Sequence, residues 1–60
     1  MKLITRFELA SKNTSELHVL YREVFNALVR SEQDTAERRN CLASLENIQN
    51  ELDFRALPNL

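Results

Sequence analysis

Between residues 14 and 30 the apolar positions Leu17, Leu20, Tyr21, Val24, Ala27 and Leu28 recur at spacings of three and four, the period of one face of an α-helix. His18, Phe25 and Val29 lie beside that stripe and widen it. At about 100° per residue the apolar arc spans roughly half the circumference, more than one facing helix covers. A second pattern runs from Ala36 to about Leu57, where Cys41, Leu45, Ile48 and Leu52 form a narrower stripe flanked by Leu42, Gln49 and Ala56. Phe54 lies off this stripe, and we expect it to cover the N-terminal segment around Phe7 and Leu9.

Start and stop signals frame these patterns. Thr5 and Glu8 have the spacing of a capping box, with Ile4 and Leu9 at the two staple positions, and predict a short helix over about 6–11. Glu8 and Lys12 stand four apart, as a supporting pair would. Asn13 with Glu16 offers a second, weaker box at the head of a helix over 14–30. Asp34 with Glu37 offers a third, with Thr35 as an alternative cap, before a helix over about 35–57 that Pro58 stops. Within it Glu51 and Arg55 form an acid-before-base pair.

Glycine is absent and proline occurs once, so the punctuation needed by hairpin turns and sheets is missing. The fold class expected is all-α: one small domain with a short N-terminal helix and two long helices. The link of about three to five residues between the long helices predicts antiparallel neighbours, a helical hairpin. A domain of 60 residues buries only about 60% of the surface its unfolded chain exposes, and disulfides, a metal or self-association are the usual remedies. One cysteine and one histidine supply neither a disulfide nor a four-ligand zinc site. Self-association is the remedy left, and the over-wide arc points the same way. We expect a homodimer, two hairpins forming a four-helix bundle, with Tyr21, Phe25, Leu28 and Val29 of one helix and Leu42, Leu45 and Ile48 of the other at the interface.

Charge narrows the range of partners. Eight basic residues against nine acidic ones, a formal net of −1, give no global field to gather phosphate or acidic lipid. Met1-Lys2-Leu3-Ile4 runs into Thr5 and Arg6 too soon for a signal peptide. No apolar run reaches the roughly 20 residues of a bilayer span. A cytoplasmic protein without membrane contact is expected, and a lone cysteine fits a reducing compartment.

Candidate chemistry is sparse. His18 borders the apolar face with no second ligand within a turn, and Cys41 lies in the apolar stripe, where a free cysteine is a small buried hydrophobe. The acids Glu32, Asp34 and Glu37 read as helix caps, because paired-carboxylate catalysis needs a desolvated cleft. No catalytic residue, cofactor or metal is assigned, and the chain is expected not to be an enzyme. Arg38 and Arg39 are the candidates for contact with something outside the chain. An unidentified protein partner, met by helix-on-helix burial as an adaptor, inhibitor or regulator, is the leading expectation. Nucleic-acid binding by a dimeric hairpin through Arg22, Arg30, Arg38 and Arg39 is the alternative.

The runs FELASKNTSELHVLYREVFNALVRS and AERRNCLASLENIQNEL resemble a group of short uncharacterised helical proteins of alphaproteobacteria, with a similar FELA segment, an L-x-x-L-Y-R-E-x-F-N-A-L helix and an E-R-R-N-x-L-A-S-L-E-N-I helix. That resemblance spans nearly the whole chain and implies a bacterial, cytoplasmic setting and three helical segments, with no activity attached. Gln49-Asn50-Glu51-Leu52-Asp53 also resembles the Ser-Gln-Glu-Leu-Asp signature of the aspartyl-phosphate phosphatases of the sporulation phosphorelay. Only Glu-Leu-Asp is shared; the resemblance would imply dephosphorylation of a response regulator dependent on Asp53.

Overall fold

The computed structural model describes residues 1–57, and the regular structure among them is all helix, with α1 at Arg6–Ala10, α2 at Thr14–Arg30 and α3 at Ala36–Ala56. Each helix starts where a side chain satisfies a free amide. The Glu8 N–H donates to Thr5 Oγ1 at 3.3 Å, and the Thr5 hydroxyl donates to the Glu8 carboxylate instead of leaving it to the backbone. At α2 the box is complete: the Glu16 N–H donates to Asn13 Oδ1 at 2.7 Å and the Asn13 N–H donates to Glu16 Oε1 at 3.2 Å. The start signal that looked weaker in the sequence is thus the better formed. At α3 the cap is Thr35, which accepts from the Arg38 N–H at 3.2 Å. Asp34 is displaced into the turn with φ at 62°, a left-handed conformation that Asp tolerates better than most residues. The stop expected at Pro58 lies outside the described residues; α3 ends with Leu57 as its C-cap. No ion pair joins Glu8 to Lys12 among the described residues.

The long helices α2 and α3 pack side by side, and α1 packs on α3. The ends of α2 are each tied by an arginine of α3. Arg55 Nη1 donates to Thr14 Oγ1 at 3.3 Å, while Arg38 Nη1 donates to the Leu28 carbonyl at 3.2 Å. The start of one helix therefore lies beside the end of the other. Between the two ties Leu17 and Val24 of α2 meet Cys41, Leu45 and Ile48 of α3, with Leu9 of α1 closing the core and Ile4, Leu20, Tyr21, Ala27, Leu28 and Leu52 packed around it. Cys41 is fully buried, as its place in the stripe predicts. Phe54 does not cover the N-terminal segment: it is 63% exposed and Phe7 88%. Both project from helix faces turned away from the core.

Candidate functional surface

Two sides of α3 are occupied and one is open. The first holds the apolar contact with α2. The second holds the N-terminal segment through a polar row at helical spacing: Asn40, Ser44, Asn47, Glu51 and Arg55 share one face of α3. The Ile4 N–H donates to Ser44 Oγ at 3.0 Å, and Asn47 Nδ2 donates to the Ile4 carbonyl at 2.9 Å, so both backbone groups of Ile4 are read. Asn40 Nδ2 donates to the Met1 carbonyl at 2.9 Å. The carboxylate of Glu51, only 7% exposed, takes Arg55 Nε at 2.9 Å on one oxygen and Arg6 Nη2 at 3.3 Å on the other. Its hydrogen bond from Arg55 holds its pKa below the usual carboxylate range, against the opposing effect of burial and with further help from Arg6. Arg55 also donates to the Leu9 and Lys12 carbonyls, at 3.1 and 2.6 Å, at the end of α1. The Glu51–Arg55 pair that the sequence suggests as a support within one helix is therefore also the hub joining α1 and the start of α2 to α3.

The third side of α3, with the adjoining side of α2, is open. Tyr21 and Leu28 are half-buried along it; Phe25, at 48% exposed, and Leu42, at 50%, stand out from it. A groove of about 510 Å³ continues the same side between Tyr21 and His18 of α2 and Gln49, Leu52 and Asp53 of α3. Val29, 68% exposed, extends the α2 edge one turn beyond Phe25. Of the residues assigned from sequence to a dimer interface, Leu45 and Ile48 are buried in the core of the chain and present no surface to a second copy. Tyr21, Phe25, Leu28, Val29 and Leu42 form the accessible part of the open side.

The two arginines assigned to outside contact diverge. Arg38 turns inward, its Nη1 donating to the Leu28 carbonyl and to Ser31, where it completes the end of α2 together with the Ser31 hydroxyl bonded to Leu28. Arg39 is exposed and makes no side-chain hydrogen bond or ion pair among the described residues. In the stretch resembling the phosphatase signature, Glu51 is held by its two arginines and Asp53 Oδ1 accepts from Gln49 Nε2 at 2.9 Å. Among the described residues no three His, Cys, Asp or Glu side chains come together as a metal site would require. No described helix is long and apolar enough to cross a membrane.

Among the described residues the fold is three helices with one apolar side uncovered. No protein-family model, curated protein or solved structure matches the chain.

Proposed function

We propose that the chain is a non-enzymatic helical interaction module that pairs with a second copy of itself through the open side of α2 and α3. The observation that supports this reading is the continuous apolar strip of Tyr21, Phe25, Leu28, Val29 and Leu42, with Phe25 about half exposed beside a groove between the helices. Aromatic side chains dominate interface energetics when they are buried against a partner. Pairing would also extend the small core of a 60-residue chain. Two hairpins joined in this way make a four-helix bundle, and other proteins would be engaged from its rim, with Arg39 the first contact to examine. A cytoplasmic setting suits a lone buried cysteine, and the likeness to short alphaproteobacterial proteins belongs to the same reading. Phe25→Glu places a charge at the centre of the seam and is expected to leave the chain monomeric by light scattering while its helical circular dichroism persists. A Phe25→Glu chain that still pairs would refute this placement of the interface.

A further inference from the structure

The open side is bounded by two rows of exposed residues whose charges set how two copies can meet. On α3 the outer row is Arg39, Glu46 and Asp53, at seven-residue steps and so on one line of the helix; on α2 it is Arg22 and Val29, with His18 just inside. Arg22, Arg39, Glu46 and Asp53 have no ion-pair partner among the described residues. The ties from Arg55 to Thr14 and from Arg38 to Ser31 fix which residues stand level across the pair. By that register Arg22 is level with Glu46, Val29 with Arg39, and the His18 turn with Asp53.

Two face-to-face arrangements have two-fold symmetry. With the axis perpendicular to the rods, α2 meets the partner's α2 and α3 meets the partner's α3. Full overlap then sets Arg22 against Arg22 and Glu46 against Glu46 of the second copy, like charges at the centre that offset the two Arg39–Asp53 pairs the same overlap makes toward the ends. Sliding one chain by the seven residues that pair Arg39 with Glu46 offsets the rods by about 10 Å and brings Asp53 to the acidic turn of Glu32 and Asp34. With the axis along the rods, α2 of each copy meets α3 of the other at the same level. Arg22 then faces Glu46 twice, Asp53 faces the His18 turn twice and Arg39 meets Val29, so no like charges oppose each other along the rows; the two acidic turns of Glu32 and Asp34 stand level only at the solvent-exposed end. The open side runs the 17 residues of α2, about 25 Å at the rise of an α-helix, long enough to set Arg22, Val29 and the His18 turn against one copy of α3.

We infer that two copies pack in parallel, α2 of each against α3 of the other, in the register set by Arg22 and Glu46. This rests on the self-association proposed above and specifies its geometry.

Cysteine pairing reads the arrangement directly. In a Cys41→Ala background checked for helicity, chains carrying Arg22→Cys and chains carrying Glu46→Cys are oxidised with glutathione disulfide, separately and mixed. The parallel arrangement gives a covalent dimer in the mixture and little in either chain alone. Covalent dimers of each chain alone, or none although the chain sediments as a dimer, overturn the arrangement and leave self-association standing. A chain that sediments only at 7.0 kDa overturns both. Charge reversal in the otherwise unaltered chain gives an independent reading: Arg22→Glu or Glu46→Arg alone weakens pairing about threefold to tenfold and the double exchange restores it. Single exchanges without effect contradict the register.

Discussion

The two occupied sides of α3 hold their partners by different physics. Against α2, Cys41, Leu45 and Ile48 bury apolar surface against Leu17 and Val24, an attraction that is strong, non-directional and tolerant of small shifts. Against the N-terminal segment, Ser44, Asn47 and Asn40 read individual backbone groups, and Glu51 with Arg6 and Arg55 adds a half-sheltered charge cluster. Each bond there contributes little net free energy, but each is lost if the segment slips by one residue. The apolar side supplies most of the stability, and the polar side fixes which residue lies where.

Substitutions that separate these roles follow from that contrast. Ile48→Ala, in the fully buried apolar side, is expected to have the largest effect: about 2–5 kcal/mol, read as a large drop in thermal midpoint with both helix contacts weakened together. A loss below about 1 kcal/mol would mean that the apolar side is not the chief source of stability. The next effect belongs to Glu51. Because its folded pKa is depressed, its contribution is fully present above the ordinary glutamate value of about 4.3 and is lost as pH falls through the lower, folded value. Acid titration followed by circular dichroism should show a steeper loss of stability below pH about 4 in the unaltered chain than in Glu51→Gln. Equal slopes would remove the charge cluster from the account.

A smaller and more local loss is expected for Ser44→Ala. It leaves the part-buried Ile4 N–H without its acceptor, at a cost of about 1–3 kcal/mol. Amide exchange should accelerate at Ile4 while the α2 amides stay protected, since the polar side fixes position more than it stabilises the α2 contact. Uniform acceleration would erase the distinction between the two sides. Smallest is Asn13→Ala, which removes the completed capping box of α2 and is expected to lower stability by about 1 kcal/mol, with fraying confined to the first turn.

The same contrast explains which features could be read from the sequence. The helix starts were legible because capping chemistry is local: Thr5, Asn13 and Thr35 each bond an amide three residues on. The apolar stripes were legible because their period survives without knowledge of the partner. The α3 cap moved from Asp34 to Thr35 because the turn needs a left-handed residue and Asp34 takes that place. Asn40, Ser44 and Asn47 gave no such signal, since their partner is the backbone of residues 1–4, which has no side-chain signature. A row of short, mostly uncharged polar residues where a solvated face would carry Lys and Glu was the available hint. Glu51 and Arg55 were visible as a pair, but their burial depends on α1 and the start of α2 arriving from elsewhere in the chain. Arg38 looked free because the carbonyls it reaches lie at Leu28 and Ser31, across the turn.

The open third side of α3 and α2 tests the account most directly. Sedimentation equilibrium of the unaltered chain across the micromolar range is expected to give a species of twice the 7.0 kDa chain mass, dissociating on dilution. A single species at 7.0 kDa throughout would contradict self-association through Tyr21, Phe25, Leu28, Val29 and Leu42.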